Sequence, residues 1–371
     1  MSFARRFAVA AAVSAAVLAV AVPAQASSLG WRVAATVEAG KASLLTSVAT
    51  VTRSDAWAFG ASSIGGTSYD GLIEHWNGRS WRRISLPSGV ATGWAAATPV
   101  IVASGATSDS NIWAFSYFSA TYLRRQGATW STGTLPAPGS GTVRPIVTVV
   151  AGSADVWALG GAFTGSGAMP YAARFNGTTW STVPVPGSGP VVGVSALSSH
   201  DIWAVIGSAE FQPKPVPSSI VHWNGTTWTT VKLPSRLPGE ASSILALSDH
   251  AVWIGGGRRN GKHGQSEYAA QWTGRRLIVA NLPVKASAAA FHMVRLRRDG
   301  AGGIWGLGVT GNTSTSRLWH LTGSSWHAVS TCGLGRESFL YNLVNAPGTA
   351  SMWGAGVIGH NALIAIDGAL P

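Results

Sequence analysis

The chain has 371 residues, 18 tryptophans, a single cysteine and a formal net charge of +12. That length fits one large closed domain or two ordinary ones, and the basic excess suits contact with an anionic surface as well as simple solubility. Cys332 stands alone, which excludes an intrachain disulfide, so the fold must be held by packing; the thiol is expected to be buried and inert.

In chain order, residues 1–26 read as an export leader. Arg5 and Arg6 make a charged start, Ala8 to Val22 an apolar run, and Ala24-Gln25-Ala26 a small-x-small cleavage site. The run is shorter than the roughly 20 residues that a membrane-spanning helix needs. No second run of spanning length follows, so residues 27–371 are expected to form a single secreted domain with no transmembrane segment. The paired arginines leave the export route open between general secretion and the twin-arginine system.

The rest of the chain is one phrase written seven times. Its first Trp falls at Trp57, Trp113, Trp157, Trp203, Trp253, Trp305 and Trp353, and periods of this length mark a repeat architecture. The third copy resolves into four short strands. Ile146 to Val150 is continuously apolar, Asp155 to Leu159 and Tyr171 to Phe175 alternate, and Trp180 to Val185 runs out towards Pro186. No stretch after the leader holds a helical period over three turns.

Three recurring polar positions have structural explanations. Asp55, Asp155 and Asp201 stand two residues before the first Trp, with Asn111, Ala251, Gly303 and Ser351 in the other copies. Such side chains are expected to satisfy backbone N–H groups in the turn entering the strand. The pairs Asn77-Gly78, Asn176-Gly177, Asn224-Gly225 and Asp367-Gly368 read as hairpin turns in which positive φ costs little. His75, His222 and His320 recur at one place in different copies, hence in different sheets. They are too far apart to share an ion and are expected to hydrogen-bond locally, so neither a metal nor a cofactor is expected.

The seventh copy stops at Pro371 before its fourth strand, while Trp31-Arg32-Val33 matches the opening of that strand, as at Trp180 to Val183 and Trp228 to Val231. The economical arrangement lets the N-terminal strand complete the last sheet and close the ring, leaving few exposed edges. The expected fold is therefore all-β, a seven-bladed β-propeller of four-stranded antiparallel blades. Two aromatic positions, filled by Trp76, Phe175, Trp223 and Trp272 and by Trp81, Trp130, Trp180, Trp228 and Trp326, would pack between blades.

The D-[VI]-W-A phrase followed by H-W-N-G-T-x-W resembles repeats of exported actinobacterial proteins of unassigned role. From Trp31 to the C-terminus the chain is similar to secreted bacterial β-propellers of the kelch or galactose-oxidase-like kind. The resemblance implies the fold. It departs from the glycine-paired kelch pattern and from the sialidase Asp-box, so neither activity carries over to any residue.

Function is expected on the face that gathers the second-to-third-strand loops and the connections between blades, where the copies differ most. Trp94 lies in the Gly89 to Pro99 connection, where a flat ring suits a sugar face or forms a lid. Phe211 opens a stiff, proline-rich loop, and Arg258, Arg259 and Lys262 make a basic loop in the next copy. These five residues are the candidate contacts for a glycan or an anionic cell-wall polymer, with a protein partner as the alternative. A hydrolase or lyase ranks third. The carboxylates it would need, Asp70, Glu210, Glu240, Glu267 and Glu337, are spread over several copies, and a glycosidase wants two at a set separation. No zinc motif, nucleophile elbow or phosphate loop is found, no nucleic-acid module accompanies the basic charge, and a monomer is expected.

Overall fold

The computed structural model describes residues 30–65, 68–90, 101–139, 141–208, 217–259, 265–283, 291–310 and 316–371. After β1 (Arg32–Val37), blade 1 is built from β2 (Ala42–Thr52), β3 (Asp55–Gly65), β4 (Ser68–Trp76) and β5 (Trp81–Arg83). Blade 2 follows as β6 (Ile101–Ser108), β7 (Asn111–Ser116), β8 (Thr121–Gln126) and β9 (Thr129–Thr134). Blade 3 is β10 (Thr142–Gly152), β11 (Asp155–Thr164), β12 (Gly167–Phe175) and β13 (Trp180–Thr182). Blade 4 is β14 (Val191–Ser198), β15 (Asp201–Ile206), β16 (Ser219–Trp223) and β17 (Trp228–Thr230). In blade 5 the strands are β18 (Glu240–Ser248), β19 (Ala251–Arg259), β20 (Gln265–Trp272) and β21 (Leu277–Val279). Blade 6 comprises β22 (Phe291–Arg298), β23 (Ile304–Thr310), β24 (Ser316–Thr322) and β25 (Ser325–Val329). Blade 7 takes β26 (Ser338–Asn345), β27 (Met352–Ile358) and β28 (Asn361–Asp367), and β1 pairs with β28 as its fourth strand.

Each blade is an antiparallel sheet in which neighbouring strands pair in order, and in blades 1 to 6 that order follows the chain, which makes each of them a meander. The ring closes as the sequence implies, with Arg32 opposite Ile366 and Val37 opposite Ala362. This closure covers the edge of β28, which would otherwise present unpaired backbone groups. Residues 1–26, expected from the sequence to be a leader, lie outside the described residues.

The core is a wheel of seven apolar clusters, one at each junction between blades. The first Trp of one blade meets the outer-strand aromatics of the next. Trp57 packs on Trp130 at 5.7 Å between ring centres, Trp113 on Phe175 at 5.1 Å, Trp157 on Trp223 at 5.0 Å and Trp253 on Trp326 at 5.6 Å. Trp203 and Trp272 share a cluster. Trp305 packs edge-on against Trp31 at 5.6 Å, and Trp353 meets Trp76 at 5.3 Å, which carries the same contact across the closing seam. Large flat side chains suit this junction because edge-to-face pairs fill the wedge between twisted sheets and add to simple burial.

The Asn-Gly pairs in blades 1, 3 and 4 form the expected turns between antiparallel strands, in four-residue loops flanked by the partners Trp76 and Trp81, Phe175 and Trp180, and Trp223 and Trp228. The glycine takes positive φ, 86° at Gly78, while Asn77 Oδ1 accepts the N–H groups of Arg79 and Ser80 at 3.0 Å each. Two other sequence-based expectations are corrected. The Asp before the first Trp binds side chains, as described below. Cys332 is exposed. It starts a single 3-10 turn, Cys332–Leu334, in the connection between blades 6 and 7, and Leu334 takes the buried place.

Candidate functional site

On the face that carries the turns, the repeat's polar residues form staples. Asp55 Oδ1 accepts the Trp57 indole N–H at 2.9 Å and lies 3.0 Å from His75 Nε2, while the His75 ring stacks on Trp57 at 4.1 Å. Blade 4 repeats this with Asp201, Trp203 and His222. In blade 3, Arg174 replaces the histidine and grips Asp155 with two bonds of 2.9 Å. Blade 6 has Gly303 at the aspartate position, yet Asp299 reaches His320 Nε2 at 2.7 Å from the preceding turn. Burial alone would raise the Asp299 carboxyl. Hydrogen bonds from His320, Gly303 and Ala301 outweigh it and hold the group below the usual carboxylate range. Asp249 of blade 5 comes close enough to Asp201 and His222 that one ligand atom from each lies within 4.8 Å of the others. Asp201 and His222 already bind each other there, and Asp249 is exposed.

On the opposite face, two of the five candidate contacts are described. Arg258 and Arg259 end β19, opposite Ser266 and Gln265. Arg258 is partly buried, with a long 3.5 Å contact from its Nε to Ser266 Oγ, whereas Arg259 is exposed. Neither pairs with a carboxylate among the described residues. Trp94, Phe211 and Lys262 lie outside the described residues. The same face carries an aromatic pair in blade 2, Tyr117 and Phe118, with ring centres 5.1 Å apart and Phe118 45% exposed.

Beneath Arg258 the register assembles a cluster that no strand shows by itself. Glu240 on β18 and Glu267 on β20 both stand opposite Gly257 of β19, so two carboxylates flank one glycine on a single blade. A Cβ on Gly257 would come within 2.5 Å of His292 Nδ1, and one on Gly308 within 2.5 Å of Glu267 Oε1. Glycine at these two places makes room for His292 and Glu267 at the junction of blades 5 and 6. Burial pushes the His292 imidazole down against the pull of Glu240, and pushes the Glu267 carboxyl up against Arg317, whose guanidinium lies 3.5 Å away. Glu267 has no exposed surface, so it cannot touch a substrate on this face. The other described carboxylates of the catalytic alternative stand elsewhere, Asp70 in blade 1 and Glu337 before blade 7. Glu210 is outside the described residues.

The axis of the ring holds a second site. Every innermost strand skips one residue in its register at the same level, at Thr46, Val102, Ile146, Val192, Ser242, Val294 and Tyr341. Such a bulge bends the strand and re-aims the side chains after it. The next residues are Ser47, Ala103, Val147, Gly193, Ser243, Arg295 and Asn342. A cavity of about 60 Å³, counted as space open to water centres, lies among them and is also lined by Arg297. Among the described residues no carboxylate lines it. Burial pushes the Arg295 guanidinium down to about 10, and Arg297 likewise to about 10 with Arg295 adding to the effect.

No protein-family model matches the chain, and no curated protein matches it. Solved structures match its fold. A solved structure of YCF48 bound to a D1 peptide is 13% identical with a TM-score of 0.58, covering 92% of this chain and 97% of that one. Virginiamycin B lyase from Staphylococcus aureus is 12% identical with a TM-score of 0.60, covering 91% and 99%. Sqt1 from Chaetomium thermophilum, bound to the N-terminus of ribosomal protein L10, is 12% identical with a TM-score of 0.55, covering 90% and 98%. At such identities the likeness is one of fold.

Proposed function

We propose that this propeller is an exported, non-catalytic binding module that holds an acidic glycan or another anionic cell-envelope polymer on its variable-loop face. The observation that carries the reading is Arg258 and Arg259 at the rim of blade 5. They are two cations without a carboxylate partner among the described residues, next to the loop that holds Lys262. Among the described arginines only Arg83, Arg174 and Arg317 pair with carboxylates, and Arg124, Arg125 and Arg144 lie over aromatic rings inside the fold, which leaves part of the basic excess, Arg258 and Arg259 with it, for an outside partner. Trp94 and Phe211 would add flat surfaces for sugar rings, and the exposed Phe118, packed on the partly buried Tyr117, extends the same face. The leader-like residues 1–26, and the likeness of the repeats to exported bacterial propellers, support secretion. Sealed burial of Glu267 supports binding over glycoside cleavage, which needs both carboxyl groups at the sugar.

The test is co-sedimentation of the purified protein with isolated bacterial cell wall, and affinity electrophoresis in acidic and neutral polysaccharides, at low and high salt. Selective retention by an acidic polymer that weakens but survives at high salt supports a shaped site. Retention abolished by salt reports only unspecific attraction, because at 1 M the screening length falls to about 3 Å. The propellers solved with bound peptides set the competing outcome. A pull-down returning one protein, with no polymer bound, would replace the glycan by a protein partner.

A further inference from the structure

We propose that the central channel is a binding site for one small tetrahedral oxyanion, of the sulfate or phosphate class, held by Arg295 and Arg297. The proposal does not depend on the variable-loop face, because it concerns different residues at the axis of the ring.

Arg295 and Arg297 stand on β22, the innermost strand of blade 6. The positions matching Arg297 in the other blades, opposite the first Trp, hold Ala49, Gly105, Val149, Ser195, Leu245 and Val344. Six blades thus present small or apolar groups where the sixth presents a cation. Each guanidinium makes one described hydrogen bond, to the carbonyl just before its own residue, at 2.8 Å from Arg295 to Val294 O and 3.0 Å from Arg297 to Leu296 O. A guanidinium carries about five N–H donors in a planar fork, so most of them have no partner among the described residues, and both arginines line the cavity. Asn342 adds a donor at the same level, with only a 3.5 Å contact from its Nδ2 to Ser47 Oγ.

Two neighbouring cations in a channel without a described carboxylate are mutually repulsive and poorly hydrated, and an anion between them offsets both costs. The forked geometry suits an oxyanion better than a halide, because parallel N–H groups match two oxygens of one ion. Size decides between a free ion and a polymer. A single water needs roughly 10–15 Å³ of such space, so about 60 Å³ holds a handful of waters or one oxyanion, and no sugar chain.

The experiment is thermal unfolding of the purified chain in sodium chloride, sulfate or phosphate at matched ionic strength, with the wild type and the variants Arg295→Gln, Arg297→Gln and both together. Sulfate also stabilises proteins generally, in proportion to concentration, so the reading is the saturable part. In the wild type a saturable rise of about 4 °C is expected once the ion exceeds its dissociation constant a hundredfold. The double variant should keep only the linear part, and in chloride its melting temperature should be no lower than that of the wild type. Identical responses from wild type and double variant overturn the proposal. Equilibrium dialysis of the wild type with labelled sulfate keeps the test independent of any variant. One ion per chain supports the site, and the absence of saturable binding refutes it.

Discussion

Replacing Trp31 by Ala tests the closure of the ring. Trp31 is 2% exposed, its ring meets Trp305 edge-on at 5.6 Å, and Gly354 lies under it so closely that a Cβ there would sit 2.9 Å from the Trp31 ring. Truncating a buried Trp costs about 3–5 kcal/mol, combining the forfeited transfer energy and the cavity left behind. The edge-to-face pair accounts for about 1 kcal/mol of that. Trp31 also leads β1 into its ladder with β28, so its removal loosens the strand that covers the last edge. The assay is urea unfolding followed by Trp fluorescence, with Val33→Ala as the control, since Val33 is 37% exposed and should shift stability by about 0.5 kcal/mol or less. A Trp31→Ala destabilisation of about 4 kcal/mol, with a melting temperature lower by roughly 6 °C, is expected. A destabilisation no larger than that of Val33→Ala would show that the N-terminal strand does not hold blade 7, and the account of closure would fail.

The other predictions concern single groups. Asp201→Ala leaves the Trp203 indole and His222 without their acceptor and should lower stability by about 1–3 kcal/mol, read from the urea midpoint. Asp299 is held below the usual carboxylate range, so its stabilisation is present above the ordinary carboxylate pKa. It is lost as the pH falls through the lower folded value, and Asp299→Asn should flatten that acid limb. Glu267 behaves in the opposite sense. Its carboxyl is raised in the folded chain, so stability should decline as the pH rises from the ordinary carboxylate range through the folded value, and Glu267→Gln should remove the decline. Cys332 is exposed and should react in full with a thiol reagent without denaturant; reaction only after unfolding would contradict its placement.

The fold was legible because one physical demand recurs seven times. Each blade needs a large flat side chain at its junction, and the Trp phrase writes that demand into the chain. Closure was legible for the same reason, since Trp31 is a fourth-strand Trp with no sheet of its own. The site was less legible. Asp299 escapes the repeat pattern because it stands at the start of its turn, whereas Asp55 and Asp201 stand at the end of turns of the same length. The pairing of Glu240 with Glu267 across Gly257 depends on register, which no single strand reveals. The channel arginines did leave a signal. Alternate arginines in Phe291–Arg298 occupy an innermost strand whose counterparts are small or apolar, but only the ring shows that these positions face the axis. Cys332 misled because a lone cysteine is usually buried, while here the turn gives that place to Leu334.

The central claim is that the variable-loop face recognises an anionic polymer through Arg258, Arg259 and the residues beside them. Its most direct test is the dissociation constant for an acidic cell-envelope polysaccharide and for the same polysaccharide with its carboxylates reduced. Both are measured at moderate salt for the wild type, Arg258→Gln/Arg259→Gln and Trp94→Ala. Neutralising one exposed arginine should cost up to about 1 kcal/mol, roughly fivefold in affinity. The account predicts tight binding of the acidic form only, weakened about tenfold or more by the arginine pair and also by Trp94→Ala. Equal binding of both polymers, or arginine variants that bind as the wild type does, would contradict it.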